Sequence, residues 1–258
     1  MHILITGASS GIGEALARRM ATIPGARLTL VARREAQLQA IADDLSAPTC
    51  VAPADLSNPD NVTPLLATAI EAHGPVDVLI NNAGAQVIGH TDAVDLDAAE
   101  RSLVVNLTVP LRLIHGVLPS MRARKTGHIV TISSMAAIAP TPGMTWYNAS
   151  KAGIASATEA LASELKNTGI HVLTVYPGVV KTPMMDVGIQ HYKMTAMLRN
   201  QPMLEADDLA RDIVTAITKR RRRLVRPRMF SLMRWLQPLL LILMDKMAPQ
   251  LKEPPPSE

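Results

Sequence analysis

Aromatic side chains and cysteine are nearly absent from this chain of 258 residues. Two Trp, three Tyr and one Phe are too few to form the aromatic platforms on which single-stranded nucleic acids stack. Cys50 is the only cysteine, so no disulfide forms within the chain. Its neighbours Val51 and Ala52 are typical of a buried strand thiol, and a reducing, cytoplasmic compartment fits this composition. We therefore expect neither a disulfide scaffold nor a nucleic-acid partner.

Metal-ligand spacings and long apolar runs are missing as well, and we expect no leader sequence. The seven histidines are scattered, and none pairs with another His or with Cys50 at a ligand spacing, so we expect no metal. Residues 2–6 already have the pattern of a core strand, which predicts no secretory signal and no N-terminal anchor. Near the C terminus the apolar run 239–244 has six residues, whereas a helix that crosses a bilayer needs ~20.

Acidic residues are scarce in one part of the chain only. The net charge of +4 combines residues 1–218, with 16 basic and 19 acidic side chains, and residues 219–258, with 10 basic and 3 acidic ones. The mildly acidic first part disfavours nucleic acid as a partner. The basic excess belongs to a C-terminal segment, so we predict one domain, 1–226, and a tail, 227–258. The prolines at 254–256 predict a disordered end.

Apolar strand-like runs alternate with helical patterns through most of the chain. Such an alternation predicts a parallel sheet that is covered by helices on both faces and connected by right-handed crossovers. It is typical of the doubly wound Rossmann fold, a single α/β domain with three α/β/α layers, in which ligands bind beyond the carboxyl ends of the strands. The predicted strands are 2–6, 27–32, 49–52, 76–81, 128–133 and 170–176, and the predicted helices are 11–22, 35–45, 60–73, 97–124, 147–167 and 205–219.

A glycine-rich turn joins the first strand to the first helix. Residues 6–13 read Thr-Gly-Ala-Ser-Ser-Gly-Ile-Gly. Glycine permits backbone conformations closed to other residues and lets the chain approach a pyrophosphate, while the helix N terminus attracts negative charge. The turn therefore predicts a dinucleotide site. Its candidate cofactor-binding residues are Gly7, Ser9, Ser10, Gly11, Ile12 and Gly13.

The end of the second strand bears on which dinucleotide binds. An acidic residue there would bind the ribose 2′-hydroxyl of NAD, whereas a basic residue suits the 2′-phosphate of NADP. The sequence has no carboxylate at this point and continues with Arg33 and Arg34. A cation at a helix N terminus opposes the helix dipole, so a merely solvated pair is the weaker interpretation. We expect NADP(H) rather than NAD(H), with Arg33 ahead of Arg34.

Tyr147 and Lys151 are four residues apart at the start of a helical pattern, which places them one turn apart on one helix face. A phenol with a pKa of ~10 is a poor acid or base at neutral pH, but a neighbouring ammonium lowers that pKa. Such a tyrosine becomes a usable general acid and base. A solvated lysine beside a half-buried tyrosine is the alternative that these two residues alone leave open.

Ser134 precedes Tyr147 by thirteen residues. Together with the Tyr-x-x-x-Lys pair and the Thr-Gly-x-x-x-Gly-x-Gly turn, this spacing resembles the short-chain dehydrogenase/reductase family, and the resemblance extends from residue 3 to about residue 225. It implies that Asn106, Ser134, Tyr147 and Lys151 are catalytic. In this scheme the Asn106 side chain helps to hold a water that links Lys151 to solvent.

The same resemblance implies further cofactor contacts. It places the carboxylate after the third strand against the adenine, although a cap of the following helix fits that residue equally well. The Asn-Asn-Ala-Gly run 81–84 would line the adenosine, and the Pro-Gly-x-Val-x-Thr segment 177–182 would meet the nicotinamide carboxamide and the pyrophosphate. The residues concerned are Asp55, Leu56, Asn82, Ala83, Gly84, Tyr147, Lys151, Pro177, Gly178, Val180 and Thr182.

The implied activity is that of an NADP(H)-dependent oxidoreductase that interconverts a ketone or aldehyde and an alcohol, with Tyr147 as general acid and base. The methionine-rich residues 183–203 are expected to cover the substrate, and their thioethers suit an apolar compound, although methionine also simply fills cores. A cofactor-binding regulator without turnover is the alternative from another class. An epimerase or dehydratase is a weaker one, because such relatives usually carry a longer substrate domain.

The tail combines the basic run 219–223 with apolar residues at a helical spacing, which include Met229, Leu232, Leu236, Leu240, Leu243 and Met247. This pattern, with Trp235, is typical of a helix on an anionic membrane surface, which would make the protein peripheral at a membrane. Pro238 interrupts the helix, so we expect no crossing. Packing of the tail on the domain or on a second subunit of a homo-oligomer is an equal alternative. Residues 223–226 also fit a seventh strand.

Overall fold

The computed structural model describes residues 1–193, 202–231 and 250–252, and a sheet of parallel strands lies at its centre. The strand order is β3-β2-β1-β4-β5-β6-β7, so the chain starts in the middle of the sheet, winds to one edge and then to the other. This confirms the predicted doubly wound α/β fold. The strands are β1 (His2–Thr6), β2 (Arg27–Ala32), β3 (Thr49–Pro53), β4 (Val78–Asn81), β5 (Gly127–Ile132), β6 (Ile170–Pro177) and β7 (Arg223–Arg226).

Helices cover both faces of the sheet. They are α1 (Gly11–Ala21), α2 (Glu35–Asp43), α3 (Val62–His73), α4 (Leu96–Leu103), α5 (Val109–Arg124), α6 (Thr145–Glu164), α7 (Pro183–Ile189) and α8 (Ala206–Thr218). On one face Leu16 of α1 and Ile213 of α8 belong to one buried cluster. On the other face Leu65 of α3 and Leu113 of α5 pack in a second cluster with Leu79 of β4. The three predicted layers are present.

Burial on both faces explains why the strands are apolar without interruption. Successive side chains of a strand point to opposite faces of a sheet, and every residue of β1, β4 and β6 is buried. Burying one large aliphatic side chain contributes roughly 1.5–3 kcal/mol. The continuous runs seen in the sequence therefore correspond to central strands of a covered parallel sheet.

The predicted helix 97–124 contains an irregularity that the sequence pattern did not reveal. A π-helical turn, Val104–Thr108, joins α4 to α5. By length and composition the combined helix Leu96–Arg124 is apolar enough to cross a membrane. Leu113 and Met121 are nevertheless completely buried against the sheet, so we assign it as a core helix.

β7 separates two parts of the tail region. The basic residues 219–222 precede β7 at the amino ends of the strands, whereas Phe230 follows it and lines the cavity at the carboxyl ends. Arg223 pairs with Glu159 and Arg226 with Asp212, so part of the basic run is bound to the domain. β7 ends at residue 226, the predicted boundary. The predicted amphipathic residues 232–247 and the proline-rich end lie outside the described residues.

Candidate active site

A cavity of about 940 Å³ opens at the carboxyl ends of the strands. Its position at β1 and β4, where the strand order reverses, is where open α/β sheets bind ligands. Every residue predicted from the sequence to bind cofactor or to take part in catalysis lines this cavity, except Gly13 and Asn106. The volume lies near the upper end of the ~300–1,000 Å³ typical of small-molecule sites.

Two glycines give the first turn its shape. Gly7 has φ +67°, a left-handed conformation that favours glycine. A Cβ on Gly13 would overlap the Gly7 carbonyl oxygen. Gly13 does not line the cavity, but its lack of a side chain allows α1 to start directly against the turn. Gly11 and Ile12, the first residues of α1, line the cavity. The positive end of the helix dipole therefore faces the place that a pyrophosphate fits.

Asn82 holds this turn from the neighbouring strand. Its Nδ2 donates hydrogen bonds to the carbonyl oxygens of Thr6, at 2.9 Å, and Gly7, at 3.2 Å. The backbone N–H groups of Asn82 and Ala83 both donate to the Thr6 hydroxyl at 3.0 Å. The side-chain amide is thus engaged with the protein backbone. Asn82 contributes to the cavity mainly by fixing the shape of the glycine-rich turn.

Arg34 lies against the glycine-rich turn. It is the N-cap residue of α2, and its Nη2 donates to the hydroxyls of Ser9, at 2.9 Å, and Ser10, at 3.0 Å. One guanidinium and two hydroxyls therefore meet at the cavity wall. A guanidinium with hydroxyl neighbours is well suited to a phosphate.

Arg33 lies on the Asp55 side of the cavity. The pKa of Asp55 is lowered mainly because its carboxylate accepts the Ser57 N–H at 3.0 Å, and the positive charges of Arg33 and Arg101 lower it further. Asn58, rather than Asp55, caps the following helical turn. Arg34 is thus the arginine next to the glycine-rich turn, whereas Arg33 lies toward Asp55, and both line the cavity. The order of the two arginines toward a 2′-phosphate stays a prediction.

Ser134, Tyr147 and Lys151 meet at the other end of the cavity. The Ser134 hydroxyl neighbours the Tyr147 phenol and acts to lower its pKa, and it accepts the Ala136 N–H at 3.1 Å. Lys151 lies one turn further along α6, and its Nζ is 5.7 Å from the centre of the Tyr147 ring. The Nζ donates to the carbonyl oxygen of Ile132 at 3.0 Å. The helix that begins at Thr145 thus holds the pair as its spacing predicts.

The protonation states of this pair follow from burial. Burial raises the pKa of Tyr147, and the Ser134 hydroxyl opposes that effect in part. Burial lowers the pKa of Lys151 to about 8. The expected lowering of the phenol pKa by Lys151 is not what these surroundings produce, because the ammonium donates to Ile132 rather than to the phenol oxygen. Tyr147 is therefore neutral at pH 7 and has a proton to give.

Asn106 lies in the π-turn and is 1% exposed. Its Oδ1 accepts the Ala85 N–H at 2.8 Å, and its Nδ2 donates to the Ala85 carbonyl at 2.8 Å and to the Ser150 hydroxyl at 3.0 Å. Ser150 in turn donates to the Tyr147 carbonyl at 2.8 Å. Asn106 therefore ties the loop after β4 to α6. Its predicted contact with a water is limited to one remaining lone pair of Oδ1.

The segment after β6 lies beside both ends of the site. Leu204 bonds to the Val179 carbonyl and to the Lys181 N–H, each at 2.9 Å, so the Val180 N–H between them points away from Leu204. Thr182 is the N-cap of α7, and its methyl group lies close to Gly11. Val180 and Thr182 both line the cavity, and their contacts with a cofactor stay predictions.

Other cavity residues were not predicted from the sequence. Gln86, Met144, Tyr192 and Phe230 line it, and Gln86 was the easiest to find because it follows the Asn-Asn-Ala-Gly run by two residues. Tyr192 and Phe230 have no local motif, although they are among the few aromatic residues. The methionines 184 and 185 of the predicted substrate segment line the cavity, whereas methionines 194 and 197 lie outside the described residues.

The chain belongs to the short-chain dehydrogenase family, whose model matches residues 1–192. An oxidoreductase from Staphylococcus epidermidis is 32% identical over 216 residues, which are 84% of this chain and 90% of that protein. A short-chain dehydrogenase from Sphingobium yanoikuyae, solved with NADPH, has a TM-score of 0.80 at 29% identity and covers 99% of both chains. The actinorhodin polyketide ketoreductase with NADPH also has a TM-score of 0.80 at 29% identity, over 87% of this chain and 95% of that one. The chain is accordingly an oxidoreductase of this family.

Proposed function

We propose that this protein is an NADP(H)-dependent oxidoreductase that interconverts a ketone or aldehyde and an alcohol, with Tyr147 as general acid and base. The observation that carries the proposal is the meeting of Ser134, Tyr147 and Lys151 in the same cavity as the glycine-rich turn. Proton donors and a dinucleotide cradle in one cavity fit a hydride-transfer reaction.

The residues support the following sequence of events. A bound nicotinamide supplies the hydride. The substrate oxygen lies between the hydroxyls of Ser134 and Tyr147, so that its developing negative charge meets donors that are already oriented. Tyr147 gives its proton to this oxygen, and the positive charge of Lys151 stabilises the resulting tyrosinate. In the opposite direction Tyr147 takes the proton of the alcohol.

The preference for NADP(H) rests on the arginines after β2. Arg34, held by Ser9 and Ser10, and Arg33, near Asp55, provide positive charge at the turn where NAD-specific sites carry an acidic residue. The two structural relatives described above were both solved with NADPH. NAD(H) is the less favoured cofactor.

The substrate end of the cavity is mostly apolar. Ile88, Met144, Met184, Ile189 and Phe230 line the cavity, together with the more polar Gln86, Thr141 and Tyr192. An apolar wall binds apolar compounds by removing their surface from water. We therefore propose an apolar carbonyl compound or alcohol as the substrate.

The test is turnover with and without the Tyr147 hydroxyl. With NADPH and a panel that runs from sugars to long-chain and aryl ketones, we expect the apolar ketones to be reduced, and Tyr147→Phe to lower kcat by roughly 10²–10⁴-fold, the usual contribution of a general acid. NADPH affinity should stay nearly unchanged. Tyr176→Phe is the matched control, because Tyr176 bonds to Glu159 outside the cavity.

Three results would count against the proposal or a part of it. Residual activity of Tyr147→Phe within tenfold of the parent would remove Tyr147 as the acid. NADPH binding without consumption by any substrate would favour the second candidate, a cofactor-binding regulator. A preference for sugars would contradict the apolar substrate.

We also propose a cytoplasmic homo-oligomer with peripheral membrane contact through its tail. Leu96 and Leu111, which are 57% and 40% exposed, leave apolar surface on α4 and α5 for a second subunit. Light scattering measures the oligomer. Sedimentation of the full chain with anionic vesicles measures the membrane contact, which salt should weaken. A chain that stays in the supernatant at low salt would contradict it.

A further inference from the structure

A short segment near the C terminus returns to the domain beside the cavity. Residues 250–252 pair in antiparallel fashion with residues 191–193, which follow α7. The Lys193 N–H donates to the Gln250 carbonyl at 2.9 Å, and the Lys252 N–H donates to the His191 carbonyl at 3.0 Å. Leu251, half-buried, stands opposite Tyr192 in this pairing.

The Leu251 side chain packs on the turn 141–144. Gly143 has φ +76°, and a Cβ built on it would lie 2.5 Å from Leu251 Cδ2, so leucine carbons occupy the space directly over this glycine. The same turn accepts a hydrogen bond from the Tyr192 hydroxyl at the Pro142 carbonyl, 2.9 Å, and one from the Gly89 N–H at the Gly143 carbonyl, 2.9 Å. Leu251 and Tyr192 thus hold the turn together.

The turn 141–144 connects this packing to the chemistry. It ends immediately before α6, three residues before Tyr147. Thr141, Met144 and Tyr192 line the cavity, whereas Leu251 does not. A displacement of Leu251 therefore shifts the cavity wall that it supports, and with it the surface that contacts the substrate.

We propose that Leu251 is a positioning residue for the substrate site: together with Tyr192 it fixes the 141–144 turn and so sets the size of carbonyl compound that fits beside Tyr147. The inference rests on the proposed function, because it names a specificity determinant of that same site. The C-terminal segment then belongs to the substrate wall, and the cofactor end of the cavity is independent of it.

The test compares Leu251→Ala with two matched variants of the full chain. Lys252→Ala is the control, because its exposed side chain is removed while its backbone hydrogen bond stays. Leu251→Ile should restore most of the packing. For Leu251→Ala we expect KM for a small aryl ketone, acetophenone, to rise about tenfold through lost packing of the wall. NADPH affinity, measured by the fluorescence of the bound cofactor, should stay within about twofold.

A second variant examines the contact itself. Gly143→Ala adds a methyl group where Leu251 Cδ2 lies, and it also strains a backbone with positive φ. In the Leu251→Ala background the space is free, so the added methyl should raise KM less than it does in the parent. An equal rise in both backgrounds would show that Leu251 does not pack on Gly143 and would overturn the proposal.

Hydrogen exchange separates this proposal from the proposed function. Peptides that cover the 141–144 turn should exchange faster in Leu251→Ala and at the parental rate in Lys252→Ala, while peptides of the glycine-rich turn stay unchanged. If the parent reduces no ketone but this exchange pattern holds, the proposed function fails and the positioning of the turn by Leu251 stands. Unchanged exchange in Leu251→Ala, or a KM within twofold of the parent, would overturn the positioning role.

Discussion

Arg34 binds the two serine hydroxyls of the glycine-rich turn through one guanidinium nitrogen. The negative charge of the 2′-phosphate of NADPH strengthens its hydrogen bonds with the Arg34 guanidinium. The neutral 2′-hydroxyl of NADH gains no such charge assistance. We expect Arg34→Ala to weaken NADPH binding by roughly 10- to 100-fold, as for the loss of hydrogen bonds to a charged group, and to leave NADH binding unchanged.

Titrations of both cofactors with Arg34→Ala and, for comparison, with Arg33→Ala check this prediction. A larger loss of NADPH affinity in the Arg33 variant would support the order expected from the sequence. Equal losses of NADPH and NADH affinity would mean that neither arginine reads the 2′-phosphate.

Motif residues were predictable from the sequence because their spacing is local. Tyr147 and Lys151 share one helix turn, and that relation depends only on helical geometry. The surroundings of their charged atoms were not predictable, because burial and the Ile132 carbonyl next to the Lys151 Nζ come from another strand. The raised pKa of Tyr147 is therefore a property of the packed molecule.

The π-turn supports the cavity wall through Ala85, which lines the cavity. It holds Asn106, whose side chain satisfies both backbone groups of Ala85 and also binds Ser150. Asn106→Ala removes the partner of both Ala85 backbone groups, while Ser150 keeps its bond to the Tyr147 carbonyl, so we expect the free energy of unfolding to fall by about 2–3 kcal/mol. Urea denaturation measures this loss.

Asn61→Ala is the matched control for stability, since the Asn61 side chain makes one hydrogen bond, to the Asp55 carbonyl at 2.8 Å, near the surface. It should cost less than ~1 kcal/mol. If Asn106→Ala lowers the free energy of unfolding no more than Asn61→Ala does, the hydrogen bonds of Asn106 between the loop after β4 and α6 do not stabilise the fold. The role implied by the family resemblance, in which Asn106 holds a water, then becomes the better explanation.

The predicted strands and helices lie within a few residues of the observed ones, whereas α7 and the irregularity inside the helix 97–124 were not predicted. Apolar runs and helical periods repeat over many positions, so they identify elements such as β1 and α1 well. A π-turn alters the hydrogen-bond pattern for a single turn and leaves the apolar period almost intact. The mid-helix Asn106 was the only sequence signal at that place.

The tail shows which features of the whole molecule could not be predicted from the sequence. Its basic run and its apolar residues are close in sequence, and two interpretations were left open for them, a helix on a membrane surface and packing on protein. β7 places residues 219–222 at the amino ends of the strands and Phe230 at the carboxyl ends, so the basic run and Phe230 lie at opposite ends of the domain. The pairing of Leu251 with Tyr192 joins residues 59 positions apart, and no local pattern encodes such a contact.

At the amino ends of the strands, the half-buried His128 and the buried His171 make the stability of the domain depend on pH. His128 of β5 and His171 of β6 are register partners, and their ring centres are 5.5 Å apart. Burial lowers the pKa of His128 to about 4, and the charges of His171 and Arg220 add to this, whereas Asp77 opposes it. Burial also lowers the pKa of His171.

The unfolded chain, with an ordinary histidine pKa of ~6.5, therefore binds more protons than the folded one between pH ~6.5 and about 4. The neutral histidines therefore contribute to the free energy of unfolding above this pH range, and the contribution is lost as the pH falls through the range. Comparing urea unfolding at pH 7.5 and pH 4.5, we expect His128→Gln to reduce the loss on acidification by on the order of 2 kcal/mol. The exposed His115→Gln serves as the control and should keep the parental dependence. Parental acid sensitivity in His128→Gln would assign the effect to carboxylates such as Asp77, whose lowered pKa acts in the same direction at lower pH.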